Sequence, residues 1–206
     1  MWYGIIRIIL GLFLGILTYF VIRKKIKRRI IIFILPIMIV IFSCYALFCI
    51  PIENAFLEFS SPEKAFHYLY TGDVKSTIDG ESSTMVLYTN NNASSWAIIP
   101  KSGNGWKLDV LQSNKDILSK TVDRYIINVF NARNTEDYYV TIWDTFTKDI
   151  IDITDSKGSK FQYIEEENKG TSDKNVKYFT YVKGLEDGYS ITIGNETYVL
   201  FNKADK

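Results

Sequence analysis

Two apolar runs flank a knot of positive charge at the start of this chain, and they limit what its first 50 residues can become. Residues 4–22 are apolar apart from Arg7, and residues 30–50 carry no charge at all. Between them stand Arg23, Lys24, Lys25, Ile26, Lys27, Arg28 and Arg29. A helix rises about 1.5 Å per residue, so roughly 20 apolar residues cross a hydrocarbon core about 30 Å thick. A helix in water is apolar along one stripe, whereas these runs are apolar all round. A secretory leader carries its positive charge before the apolar stretch and a small-residue cleavage site after it. Here the charge follows the stretch. Residues 1–50 are therefore expected to form a two-pass helical membrane hairpin with a basic loop at 23–29.

Short loops rich in Lys and Arg stay in the cytoplasm. Arg23, Lys24, Lys25, Lys27, Arg28 and Arg29 thus act as a topology signal. They place the N-terminus and everything after Pro51 outside, in a cell membrane. Met1, Trp2 and Tyr3 then fall at the outer interface, where amphipathic rings are favoured. The loop also attracts anionic lipid, at about 1 kcal/mol per basic residue, so membrane lipid is an expected partner.

Gly4, Gly11 and Gly15 share one helix face, and the last two form a GxxxG pair that lets backbones approach closely. In an antiparallel hairpin Gly11 lies level with Ser43 and Cys44, and Ala46 lies further out towards Gly4. This face either closes the hairpin on itself or docks another membrane protein. Arg7 lies on the same face, one turn from the outer end. An ionisable residue inside a span is a candidate functional residue. Arg7 is expected to snorkel to the interface, with an ion pair to Glu53 as a further candidate. Pro36 should kink the second run or free a carbonyl.

The formal charge of +1 hides a split. Seven of the 24 Lys and Arg residues and none of the 23 Asp and Glu residues lie in residues 1–50. The remainder carries 17 cations against 23 acids, a net of −6, which argues against nucleic acid as a partner. Cys44 and Cys49 both fall in the second run, and neither stands in a lipoprotein cleavage pattern. A region outside the cell without disulfides fits a bacterial surface better than a small eukaryotic secreted domain. Asn92-Ala93-Ser94 and Asn195-Glu196-Thr197 match the glycosylation sequon.

Residues 51–59 read as a membrane-proximal linker, with Phe56, Leu57 and Phe59 suited to the interface. Ser60 and Glu63 have capping-box spacing and Pro62 suits a first turn, so a short helix should run to about Tyr70, with Ala65, Phe66 and Leu69 inward. The period then changes to two. Strands are expected at 74–78, 84–89, 95–101 and 106–112, divided by Asp79-Gly80, Asn90–Asn92 and Ser102–Gly105. Residues 60–114 thus form a small α+β meander domain. Ser-Pro-Glu-Lys-Ala-Phe at 61–66, the Asp-Gly turn, Ile98-Ile99-Pro100-Lys101 and Gly105-Trp106-Lys107 together resemble small domains of uncharacterised membrane-anchored surface proteins of Gram-positive bacteria. The resemblance covers residues 60–112 and rests on capping, turn and core positions, so it transfers no functional residue.

Residues 113–119 read as a link. Strand signals recur near 122–131, 137–146, 149–154, 160–166, 176–182, 188–194 and 197–202. About seven short strands suggest an immunoglobulin-like β-sandwich at 120–206. Leu185–Ile191 is similar to the turn and strand preceding the last strands of such domains, with Tyr189 at a corner and Leu185 inward. The Cys–Trp–Cys hallmark is missing.

His67 is the only histidine and is expected on the exposed side of the short helix. A multi-His zinc site is excluded, and cysteine ligands are absent after residue 50. No Walker loop or GxGxxG occurs. Asp144, Asp149, Asp152, Asp155, Glu165, Glu166 and Glu167 cluster in sequence, but Asp152–Gly158 lacks the calcium-loop order. Half of the aromatic residues between Tyr138 and Tyr181 should be core. The expected molecule is a membrane-anchored extracytoplasmic binding, sensing or accessory module, without enzymatic activity, cofactor or metal. It would meet another protein through the outer domain or the hairpin. An alternative is a membrane-complex or immunity-type subunit working through the hairpin, and a remoter one is a carboxylate-dependent hydrolase.

Overall fold

The computed structural model describes residues 2–26, 29–90, 93–109, 114–144, 150–167 and 174–201. Helices α1 (Trp2–Lys25) and α2 (Arg29–Cys49) are long and apolar enough to cross a membrane. They pack side by side along their length. A 3-10 turn follows at Ile52–Ala55, then α3 at Pro62–Leu69. The cap of α3 is Ser61, whose side chain accepts from the Lys64 backbone N–H at 3.3 Å. Ser60, expected in that role, instead accepts from Lys64 Nζ at 2.8 Å. The cause is Pro62: its fixed φ suits the first helical position, which leaves Ser61 as the residue before it.

All remaining pairing is antiparallel. A meander sheet contains β1 (Asp73–Asp79), β2 (Ser83–Asn90), β3 (Ala93–Ser102) and β4 (Gly105–Trp106) in sequence order. Strands β5 (Asn114–Val122), β6 (Tyr125–Ala132), β7 (Asp137–Asp144), β8 (Ile153–Asp155), β9 (Gln162–Glu167), β10 (Lys174–Lys183), β11 (Ser190–Ile193) and β12 (Glu196–Val199) complete the chain. They form a five-stranded sheet, β5-β6-β7-β10-β9, and a three-stranded one, β12-β11-β8.

Two expectations need correction here. Of the stretch read as a link at 113–119, residues 114–119 fall on β5, so the domain start expected at 120 cuts a strand; Ile117 and Leu118 pack onto the core beside β6. The expected strand at 106–112 is reduced to the two residues of β4; residues 110–112 lie outside the described residues.

Period-two alternation stacks these sheets. In β6, β7 and β10 one set of side chains (Ile127, Val129, Val140, Ile142, Val176, Tyr178) packs against Ile153, Ile191 and Ile193 of the small sheet. The opposite set (Phe130, Ala132, Tyr139, Phe179) packs against Ile78, Met85, Leu87 and Ile98 of the meander. The five-stranded sheet is therefore covered on both faces. In β2 the same alternation sends Met85 and Leu87 to this cluster and Val86 to a third. That third cluster joins Ala65 and Phe66 of α3, Ala97 and Ile99 of β3, Leu108, and Tyr3 of α1. Each side chain fully buried this way contributes about 1.5–3 kcal/mol.

A buried carboxylate clamps the meander to the five-stranded sheet. Asp137, at the start of β7, is 1% exposed. Its Oδ1 accepts from Glu81 N at 3.2 Å and Tyr181 Oη at 3.0 Å. Its Oδ2 accepts from Ser82 N at 2.8 Å and Ser83 Oγ at 2.7 Å. Ser83 has one proton and gives it to Asp137, so Tyr139, 2.8 Å away, donates to Ser83. Gly80 lets the β1–β2 turn sit this close: a Cβ there would stand 2.7 Å from Asp137 Oδ2. Replacing Asp137 by Ala leaves buried donors unanswered and should cost about 3 kcal/mol. Denaturant unfolding of the full chain in detergent measures it, and a loss under about 1 kcal/mol would remove the clamp.

Candidate functional site

The site with the most concentrated polar chemistry is the junction where the two long helices meet the β region. Its origin is Pro51. In a continuing helix the Leu47 carbonyl would accept from residue 51, and proline has no N–H to offer. Arg7 supplies the donor from α1, with Nε 2.7 Å from Leu47 O. The Phe48 carbonyl, equally orphaned, accepts from Tyr3 Oη at 2.9 Å. A cation at the C-terminal end of α2 is also favoured by the helix dipole.

The rest of the Arg7 guanidinium is answered as well. Nη1 donates to Glu53 Oε1 at 2.6 Å and to Tyr3 O at 3.2 Å. Nη2 donates to Glu53 Oε2 at 2.6 Å and, more weakly, to Ile50 O at 3.5 Å. All five N–H groups thus have acceptors, and the Glu53 contact is a two-pronged pair of planar groups. The guanidinium carbon stands 3.2 Å over the Tyr3 ring, and Tyr68 meets that ring edge-on at 6.2 Å between centroids. Arg7 is 0% exposed and Glu53 4%. The snorkelling expected for Arg7 does not occur, because the freed carbonyls of α2 and the Glu53 carboxylate satisfy it inside the protein.

Glu53 ties the pair onward. Its Oε1 also accepts from Tyr68 Oη of α3 at 2.8 Å. Beside it, Asn54 Nδ2 donates to Leu108 O and Leu108 N donates to Asn54 Oδ1, both at 2.8 Å. Phe59 and Trp106 exchange two backbone bonds at 2.9 and 3.0 Å. The stretch read from sequence as a linker, 51–59, is therefore held to the β region at three points. Burial pushes the Glu53 carboxyl up, but the bonds from Arg7, its own backbone and Tyr68 outweigh this and leave it below the ordinary glutamate range. Burial and the bond to Glu53 push the Tyr68 phenol up to about 12.

The glycine face closes the hairpin on itself. A Cβ on Gly11 would meet Cys44 Sγ and the Val40 carbonyl; one on Gly15 would meet Val40 and the Pro36 carbonyl. Gly4 faces Phe48 at 3.7 Å. The opposing row is thus Pro36, Val40, Cys44 and Phe48, four residues apart. Ser43 and Ala46, expected opposite, are turned off that row and stand half-buried beside it. Arg23, Lys24 and Lys25 are exposed at the far end of α1, about 30 Å from Tyr3. Lys27 and Arg28 lie outside the described residues, as does the side chain of Arg29 that opens α2.

Elsewhere the sequence candidates have structural uses. Asp144 pairs with Arg124 at 3.3 Å. Asp155 Oδ1 accepts from Lys157 N and Ser159 N, and its Oδ2 from Tyr189 Oη at 2.9 Å. Tyr189, expected at a corner, is buried with its hydroxyl on this carboxylate, and Leu185, expected inward, is half-buried against the same core. Among the described residues no three His, Cys, Asp or Glu side chains gather as a metal requires. His67 and Asn195 are exposed; Asn92, Phe146 and Asp149 lie outside the described residues. Of the aromatics, Tyr139, Tyr178 and Phe179 are buried, and Tyr163 is 47% exposed. Tyr68 and Asn54 were missed by sequence reasoning; a buried partner for Glu53 needs the fold of α3 to be visible. Comparison with known proteins finds no matching family model, no matching curated protein and no matching solved structure.

Arg7→Ala strands the buried Glu53 carboxylate and should destabilise the full chain by about 3–5 kcal/mol, with the double variant Arg7→Ala/Glu53→Ala less affected than the sum. Glu53 has a depressed pKa, so its contribution is complete above the ordinary glutamate range and disappears as pH falls through the lowered value. Glu53→Gln should flatten that acid limb in a melting series. Gly11→Val should force α1 and α2 apart, read as loss of a disulfide-trapped Gly4→Cys/Phe48→Cys pair.

Proposed function

We propose that this protein is a two-pass membrane protein that presents a rigidly mounted extracytoplasmic β region for binding or sensing, with no catalysis of its own. Large apolar side chains all round α1 and α2 support the membrane hairpin: Ile9 is 60%, Phe13 61% and Phe42 72% exposed. Water would not tolerate such a surface, and lipid would cover it. The basic end of α1 and the β region lie at opposite ends of the hairpin. With the basic loop in the cytoplasm, the N-terminus and β region face outward. Two antiparallel sheets sharing one core, with the chain changing sheet between β7, β8, β9 and β11, support the sandwich reading of residues 120–206. Its immunoglobulin-like character rests on strand number alone. The resemblance of residues 60–112 to Gram-positive surface domains, read from sequence alone, is part of this proposal.

The observation that carries the proposal is the Arg7–Glu53–Tyr68 junction. A tether needs only a flexible linker; a buried, fully bonded ion pair fixes the outer part in one orientation relative to the membrane. Fixed orientation is useful to a part that meets another protein at the surface. The glycine face is filled by α2, which weakens the alternative of an immunity-type or complex subunit docking through that face.

Topology is tested with single cysteines at Lys25 or Glu186, after replacing Cys44 and Cys49 by Ala. A membrane-impermeant maleimide on intact cells should label Glu186→Cys and leave Lys25→Cys untouched; the opposite pattern refutes the orientation. Photo-crosslinkers at Tyr163 and at Phe13 separate the two readings. Protein adducts should form from Tyr163, and adducts confined to Phe13 transfer the function to the hairpin.

A further inference from the structure

A second region of the molecule has unspent chemistry. Where the meander meets β5 and β6, a cavity of about 330 Å³ opens between the two sheets. That is within the usual size for small-molecule sites. Four of its nine described lining residues are aromatic: Tyr70 follows α3, Tyr88 lies on β2, Trp96 on β3 and Phe130 on β6. The Tyr70 and Tyr88 rings lie nearly parallel at 6.4 Å, and Trp96 and Phe130 at 4.0 Å between centroids. Asn114 and Asp116 of β5 supply the polar side.

The polar groups of the lining have no partner among the described residues: this holds for the Asp116 carboxylate, the Asn114 side-chain amide and the phenols of Tyr70 and Tyr88. Elsewhere the carboxylates of Glu53, Asp137 and Asp155 are each spent on two or more donors. The β5–β6 pairing also slips between Asp116 and Leu118. Such bulges re-aim side chains and recur next to binding sites.

The charge selects the ligand. No Lys, Arg or His is among the described lining residues. Burial, and after it the nearby Asp109, raises the Tyr70 phenol, and residues 51–206 carry a net of −6. An anion would be repelled, and a cation gains an attraction to the exposed Asp116 carboxylate that a neutral ligand lacks. Electron-rich ring faces beside a free carboxylate recognise an organic cation.

We infer that this cavity binds an alkylammonium or quaternary ammonium group, with Asp116 as its counter-charge and Tyr70, Tyr88 and Trp96 as its walls. The assignment rests on the reading of the β region as a binding part, and it supplies a ligand class for it. The group is carried either by a soluble molecule or by a choline lipid headgroup.

The test is calorimetric titration of the full chain in phosphatidylglycerol nanodiscs with choline and with n-butylamine. At least one should bind saturably, at least about tenfold tighter than 3,3-dimethylbutanol, the uncharged isostere of choline. Asp116→Asn, on an exposed side chain, should weaken binding about five- to tenfold, while Lys115→Gln next to it leaves affinity unchanged. Weaker choline binding in phosphatidylcholine nanodiscs identifies the headgroup as the source; equal binding identifies a soluble cation; both keep the site. The site is lost if neither cation binds saturably, if the uncharged isostere binds equally, if N-acetylglucosamine binds instead, or if Asp116→Asn has no effect. Any of these leaves the anchored presentation intact, because maleimide labelling decides that separately.

Discussion

A proline without an N–H is the root of the junction. Pro51 ends α2 and leaves the Leu47 carbonyl with no intrahelical donor. Arg7 fills that vacancy, and filling it brings a charge into a buried place that only another charge can balance. Glu53, two residues after the proline, is held by the 3-10 turn at the right height to do so. Tyr68 then connects the carboxylate to α3, and α3 sits on the meander. The chain of dependence runs from one missing hydrogen atom to the mounting of the whole β region.

From that mounting, order passes outward through alternating side chains rather than through linkers. The helical layer, the meander, the five-stranded sheet and the small sheet each share a buried cluster with the next. Asp137 adds a polar fastening at the middle interface, where apolar contact alone would leave the two sheets free to slide. The meander and the five-stranded sheet meet face to face, through Met85 and Leu87 of β2 against Phe130 and Ala132 of β6 and through β1 beside β10.

Much of this was legible in the chain. The apolar runs, the short helix with Pro62, the Asp79-Gly80 turn and the period-two stretches are local properties, and local propensity decided them. The Arg7–Glu53 contact was legible only as an alternative to snorkelling, because the carbonyls of α2 freed by Pro51, which help hold the guanidinium inside, are a tertiary feature. What escaped was set by tertiary geometry. Ser61 capped in place of Ser60 because of one ring. Of the two residues read as level with Gly11 it is Cys44, not Ser43, that faces it, and Val40 faces Gly15, because the inward row of α2 repeats every four residues. Strand β5 was hidden because Asn114–Val122 is polar at most positions and becomes a strand only by pairing with β6. Asp137 looked like one acid among many until the β1–β2 turn reached it.

The spacing of Arg7 and Glu53 along the chain bears on how the protein is made. Forty-six positions separate them, so the ribosome delivers the arginine well before its counter-ion. A lone guanidinium crossing hydrocarbon is costly, while the same group paired with a carboxylate is largely neutralised. Under the two-pass reading proposed above, the charge on the first helix is balanced only once the second helix and the turn after Pro51 have emerged, so that reading favours entry of the two helices into the bilayer as a pair.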